Sequence, residues 1–427
     1  MGTSNNRKAA SSLVLPGRKA YWGSLELHHY PDASAVVLAL SPDEPVILNR
    51  PHAAARAARF FTEKFPGKSL YAVKANPSPD LLKVLWAEGV THYDVASIAE
   101  VRLVRATLPD AVLCFMHPIK PKGAIAEAYN AHGVRTFSLD SHEELAKIVE
   151  ETSSDAGEAA ADLRLCVRLR VSSDYSELSL AAKFGVDLVD AASLLQATRQ
   201  VADWLGVCFH VGSQAMTPFA YVQAIERVRA AIVDASVTVD IVDVGGGFPS
   251  IYPGMEPPPL EDYFGAIHRA FESLPVSYSS ELWCEPGRAL CAEYNSLVVR
   301  VEKGRGDELY INDGAYGALY DAAHVGWRFP VKCLSEGRSD TLAPFAFYGP
   351  TCDDADYMEG PFLLPADIRP GDYIEIGMLG AYGAAMKTRF NGFGEGLVVE
   401  AGDEPMASQY VGNRRDPRAK DNVVSLR

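Results

Sequence analysis

No stretch of this sequence is apolar enough to cross a bilayer: its longest purely aliphatic run, Ala35 to Leu40, falls far short of the roughly 20 residues a spanning helix needs. Arg7 and Lys8 are followed by no apolar segment of signal-peptide length, and Asn6 stands where a myristoylation signal wants serine or threonine. A cytoplasmic protein is therefore expected. Positive charge is scarce, with 40 Lys and Arg against 55 Asp and Glu. The formal net charge of −15 argues against nucleic acid or an anionic membrane as partner and would attract a cationic small molecule. Cysteine occurs seven times, an odd number, and no Cys-x-x-Cys pair is present. Cys114, Cys166, Cys208 and Cys284 lie in or beside apolar runs, so reduced, mostly buried thiols are expected rather than disulfides or a metal site. There is no G-x-x-x-x-G-K-[ST] phosphate loop, no internal repeat and no low-complexity block.

What remains is a chain of 427 residues, 48% apolar, with room for two or three domains around a large core. Residues 1–18 and 413–427 are polar and aperiodic and are expected to fray. Between them, β-rich runs recur at 69–73, 92–95, 112–116, 134–139, 163–171, 207–211, 239–244 and 281–285. Stretches such as 81–89 and 221–233 carry apolar residues at helical steps. Alternating strand and helix predicts a parallel sheet, and eight such units match an α/β protein built on a (β/α)8 barrel over 49–292. A doubly wound open sheet is the alternative. From residue 293 to 412 the pattern turns to strands at 296–301, 308–311, 373–376 and 396–399, which predicts a second, all-β domain. The segment 19–48, through its apolar run 35–48, reads as strand-rich and joins that domain.

In a barrel, chemistry gathers at the C-terminal ends of the strands. YAVKAN (71–76) puts Lys74 there, and Asp94 ends the next run. FHVGSQ (209–214) brings His210 and Ser213; DVGGGFPS (243–250) brings Gly245, Gly246 and Gly247; CEPGRAL (284–290) brings Glu285 and Arg288. A lone lysine of this kind is commonly a solvated charge, but a partly buried amine has a lowered pKa and becomes a nucleophile toward an aldehyde. A glycine cluster is commonly a turn, but glycines also let backbone N–H groups close on an anion. Glu285 ends an apolar strand, and a buried carboxylate needs a partner such as a protonated pyridine nitrogen. His210 alone would read as a core histidine.

Together these segments, with YDVAS (93–97), YGPTCD (348–353) and GAYGAAMKTRFNGF (380–393), resemble in order the motifs of the fold-type III pyridoxal-phosphate (PLP)-dependent decarboxylases, which include the ornithine, lysine and diaminopimelate enzymes. The likeness spans residues 45–395. It implies an alanine racemase-like barrel plus β domain, with PLP held on Lys74. Glu285 would meet the pyridine nitrogen, and His210 would stack on the ring. The phosphate would lie on Ser213, the loop 245–247, Arg288 and Tyr382, while Asp94 and Arg170 lie near the lysine and the cofactor's other side. Cys352 would reach the neighbouring subunit's site and protonate the decarboxylated carbon, making the active unit a homodimer with shared sites.

Asp321 in LYDAAHV (319–325) and Asp353 match acidic residues that bind a distal amine, with Tyr320 and Phe390 lining the pocket, so ornithine is the expected substrate and lysine a possible second one. Diaminopimelate ranks lower because this chain has Cys-Asp-Asp-Ala where those enzymes have a Cys-Glu-Ser-Gly type of segment. A silent partner-binding homologue and a racemase are the readings from other classes.

Overall fold

The eight β-rich runs form the strands of one closed parallel barrel: β1 Lys68–Ala72, β2 His92–Val95, β3 Val112–Phe115, β4 Thr136–Leu139, β5 Arg164–Arg168, β6 Trp204–Cys208, β7 Ile241–Asp243 and β8 Glu281–Cys284. The ring closes where Trp283 of β8 sits opposite Lys68 of β1 and Cys284 opposite Ser69. Strands of such a barrel are covered on both faces, which is why these runs read as continuously apolar. The structure, a computed structural model, describes residues 27–154, 160–180 and 182–410; the ends expected to fray lie outside the described residues.

Helices Pro79–Ala87, Ile98–Thr107, Lys122–His132, His142–Thr152, Leu188–Arg199, Phe219–Ala235 and Leu260–Glu272 follow β1 to β7 in turn. Two of them start on written signals. The Ser97 and Ser141 hydroxyls each accept the N–H of a glutamate three residues on, Glu100 and Glu144, at 3.2 Å. The Glu100 carboxylate reaches back to the Ala96 N–H at 2.6 Å, fixing the turn that leaves the mouth of β2.

Beyond the barrel, Asn295–Arg305 is the spine of a nine-stranded sheet. It pairs antiparallel with Val46–Asn49, Glu308–Ile311 and Tyr373–Ile376, while Leu397–Ala401 runs parallel to Val46–Asn49. The run 35–48 is corrected: Ala33–Leu40 is a helix, and only Val46–Asn49 is strand. Asp32 caps that helix by accepting the Ala35 N–H at 2.8 Å, and Pro42 to Pro45 separate it from the strand. A short aliphatic run satisfies either period, and here burial of Ala33 and Val36 against Val298 and Val399 of the sheet decides for helix. Strands Leu342–Tyr348 and Tyr357–Pro365 went unread because their prolines look like breakers. Pro344 lies beside a register shift, and Tyr357–Pro365 is an edge strand, both places that tolerate proline.

One apolar core runs from the barrel helices into this sheet. At the junction the buried Arg50 guanidinium meets Glu375 at 2.8 Å, Asp403 at 2.9 Å and the Ser296 hydroxyl at 2.7 Å. Glu293 is buried nearby, held by the Gln409 N–H at 3.0 Å and Arg56 at 3.5 Å, and burial pushes its carboxyl up to about 7. Because the folded-state pKa exceeds the ordinary 4.5, the proton-linked stability is fully present below pH 4.5 and is lost as pH rises through 7. The Tm of Glu293→Gln relative to the parent protein is therefore expected to climb between pH 4.5 and 7 and level off outside that window. A difference that stays flat across the window would contradict the raised carboxyl.

Among the described residues no helix is long and apolar enough to cross a membrane, and no cluster of side chains is arranged to hold a metal ion.

Candidate active site

The C-terminal ends of the barrel strands open on a cavity of about 340 Å³. Lys74, Asp94, His210, Ser213, Gly246, Gly247, Glu285, Arg288 and Tyr382 all line it. Lys74 leaves β1 in the short helical turn Val73–Ala75, and its ammonium lies 3.1 Å from the buried Asp94 carboxylate at the end of β2. Its side chain lies deep in the protein yet is 40% exposed, because the cavity itself admits water to it. Burial disfavours the ammonium, but the carboxylates of Asp94 and Glu285 outweigh it and hold the amine above its ordinary pKa. This corrects the expectation of a lowered value: burial alone would lower it, and two nearby carboxylates reverse the sign.

Glu285 and Asp243 end neighbouring strands. Burial, the Asp243 carboxylate and then Asp94 push the Glu285 carboxyl well above its ordinary range. Asp243, buried and accepting the Gly245 N–H at 2.8 Å, is itself raised to about 6. Burial, followed by the charges of Arg168 and Lys74, lowers the His210 imidazole well below its usual pKa, so it is neutral at neutral pH. Its Nδ1 accepts the Gly212 N–H at 3.1 Å, which places the ring proton on Nε2.

At another part of the cavity Arg288 is buried, with its guanidinium 3.1 Å from the Tyr252 hydroxyl and 3.4 Å from both the Ser213 hydroxyl and Asp321. The rings of Trp327 and Tyr382 lie 4.3 and 4.9 Å from its central carbon, and its Nε–H is buried without a partner among the described residues. The glycines here are required by close approach. A Cβ on Gly246 would sit 2.8 Å from the Glu285 carbonyl oxygen, and one on Gly247 2.5 Å from that of Gly212. Tyr382 adopts the left-handed region at φ +60°, its N–H donating to the Ala75 carbonyl at 2.8 Å. A bulky residue in that region is held by its surroundings, and the neighbouring arginine supplies them.

The structure does not bring every candidate together. Gly245 does not line the cavity, unlike Gly246 and Gly247. Arg170 lies outside the cavity, paired with Asp187 at 3.1 Å, and Arg168 lines the cavity in its place. β5 ends at Arg168, after which the chain pairs with Val186 and turns outward, so the strand is three residues shorter at this end than its apolar run suggested. Cys352, Asp353, Tyr320, Asp321 and Phe390 do not line it either. Cys352 is exposed, its N–H donating to Asn391 at 3.1 Å; Asp353 accepts the Tyr316 hydroxyl; Phe390 packs on Tyr316 at 4.9 Å; Tyr320 packs on His324 at 4.4 Å. Residues that the sequence reading missed form much of the wall: Met116, His117, Leu180, Lys183 and Phe184, with the His117 and Phe184 rings 5.0 Å apart. His117 follows β3 as Lys74 follows β1, a position that strand counting alone would have flagged.

Residues 52–292 match the family described as pyridoxal-dependent decarboxylase, pyridoxal binding domain, and residues 209–380 match its C-terminal sheet domain. The chain belongs to the pyridoxal-dependent decarboxylase family. Its cofactor is PLP and it is a carboxy-lyase. It is 29% identical over 362 residues to a lysine/ornithine decarboxylase of Selenomonas ruminantium, covering 83% of this chain and 88% of that one. It is 30% identical over 360 residues to antizyme inhibitor 2 of Xenopus laevis, covering 78% and 75%. The structure of the Paramecium bursaria Chlorella virus arginine decarboxylase bound to agmatine superposes with a TM-score of 0.76 at 26% identity, over 86% of this chain and 98% of the other.

The residues present fit this decarboxylase cofactor. An amine, an anion cradle of arginine, hydroxyl and close-packed glycines, and a buried carboxyl crowded by a second one share one cavity. A cationic ring nitrogen against Glu285 would relieve the crowding of that carboxyl.

Proposed function

We propose that the chain decarboxylates L-ornithine to putrescine and CO2, with L-lysine as a second substrate, and that it works as a homodimer whose sites are shared. The observation that carries this is the meeting of Lys74, Glu285 and the Arg288 cradle in one cavity, combined with an exposed Cys352 outside it. Lys74 would hold the cofactor's aldehyde, Glu285 its ring nitrogen, and His210 its ring face. Ser213, the loop 245–247, Arg288 and Tyr382 would hold its phosphate. Bound there, PLP supplies an electron sink for the pair left on the α-carbon when CO2 departs.

The chain's own residues do the rest. Lys74 yields its place to the substrate's α-amine and later reclaims it, and Asp94, 3.1 Å away, holds the lysine in position while it does so. Neutral His210 packs against the reacting system without adding positive charge to it. Cys352 Sγ–H of the neighbouring subunit delivers a proton to the α-carbon. Asp321, 12% exposed and paired with Arg288 at 3.4 Å, lies outside the cavity lining and would meet the cationic substrate end from beside that arginine. Asp353 of the neighbouring subunit would complete the pair around the distal amine.

Ornithine and lysine differ by one methylene, about 1–3 kcal/mol of discrimination, so both belong in the same assay. The deciding measurement is CO2 release, with PLP present, from L-ornithine, L-lysine, L-arginine and meso-diaminopimelate, and identification of each amine. Putrescine formed fastest supports the Asp321 and Asp353 pocket. A preference for diaminopimelate or arginine would refute that pocket, and no release from any of them would favour a silent homologue like the antizyme inhibitor relative.

A further inference from the structure

Gln214 follows Ser213 at the end of FHVGSQ, is fully buried, and holds the left-handed conformation at φ +59° that non-glycine residues seldom adopt. Its side-chain amide makes a two-way bond with one backbone unit: Nε2 donates to the Ser250 carbonyl, and Oε1 accepts the Ser250 N–H at 3.0 Å. Ser250 closes the glycine loop that follows β7, and its hydroxyl donates to the Arg288 carbonyl at 3.5 Å, on the segment that follows β8. The next residue, Ala215, donates its N–H to the Gly247 carbonyl at 2.9 Å. Gln214 is thus a strut linking the three segments that carry Ser213, Gly246 with Gly247, and Arg288, while its own side chain does not line the cavity.

We infer that Gln214 is a positioning residue that sets the spacing of these three segments so that their donors converge on one phosphate. This rests on the proposed phosphate site. A side-chain amide presents a donor and an acceptor side by side, so it can pair with the carbonyl and the N–H of one residue at once. Burial removes water as a substitute for either bond, so losing the amide leaves two backbone groups to find new partners by moving. Groups grasping the aldehyde end of the ligand lie on β1 and β2 and do not depend on this link.

The test compares PLP with pyridoxal, which lacks the phosphate, binding to the full chain stripped of cofactor by dialysis and followed by absorbance. The parent protein should bind PLP much more tightly than pyridoxal. Gln214→Met, close in size and uncharged, should weaken PLP by about tenfold and pyridoxal by less than about twofold, the scale expected from one or two lost buried hydrogen bonds. Gln214→Asn, with the same amide one methylene short, should show the same selective loss and serves if the Met variant fails to fold, as judged by its cofactor-free Tm. A parent protein that binds both ligands equally would refute the phosphate site, and with it the strut. A selective parent whose variants lose both ligands equally, or neither, would overturn the strut alone.

Discussion

Lys74→Ala should cost decarboxylation on the order of a thousandfold or more and remove the imine absorption band of the lysine-linked cofactor, because no other amine among the cavity-lining groups lies beside Asp94. Lys183 is the other lysine on the wall, but it lies over the Phe184 ring at 5.0 Å rather than at the strand-end carboxylates. The anion cradle at Arg288 is built from other strands, so the variant should still bind PLP, weakly and without a covalent link. Equilibrium dialysis would show retained but weakened binding while the imine band is gone. The three nearby groups Asp94, Glu285 and Tyr382 favour the ammonium, so a small primary amine added to the variant is expected to restore part of the turnover as pH rises and its neutral fraction grows. A Lys74→Ala protein that kept full turnover would sink the assignment of this lysine.

How much of this was legible beforehand follows from which physical signals are local. The barrel was readable because each strand is a continuous apolar run ended by a turn, a pattern that survives without knowledge of partners. The gathering of Lys74, Asp94, His210, Ser213, Glu285 and Arg288 followed from the rule that strand ends converge. Arg170 came from the likeness of VRLRVSSDYS alone, and a local match does not say where the strand ends; the pairing of Leu169 with Val186 ends β5 before Arg170, and Arg168 lines the cavity. The wrong sign at Lys74 has a similar origin. Burial is visible in an apolar sequence, but the approach of Asp94 and Glu285 depends on barrel closure. The helix Ala33–Leu40 was missed because much of the surface that its apolar side meets, Val298, Val399 and Ala401, lies more than two hundred residues further on. His117, Lys183 and Phe184 form the wall through loops, whose paths no periodicity encodes.

Cys352→Ala is the sharpest test of a site built from two chains. Of seven free cysteines, five are buried and Cys333 is half-buried, and Cys352 alone is exposed. Its loop is held outward by the buried Asp356 carboxylate, which accepts the Ala315 N–H at 2.7 Å and the Thr351 N–H and hydroxyl at 3.0 and 2.7 Å. An exposed thiol outside its own chain's cavity is what the proposed shared site requires. The variant should bind PLP with unchanged affinity and absorption, turn over about a hundredfold more slowly for want of the acid, and release part of its product as aldehyde. Mixing it with Lys74→Ala under conditions that let subunits exchange separates the two arrangements. If Lys74 and Cys352 act across the subunit boundary, random exchange makes half the dimers mixed, and each mixed dimer has one site with both residues intact, so about a quarter of parental activity should return. If both residues served the site of their own chain, every site in every dimer would lack one of them, and mixing would restore nothing.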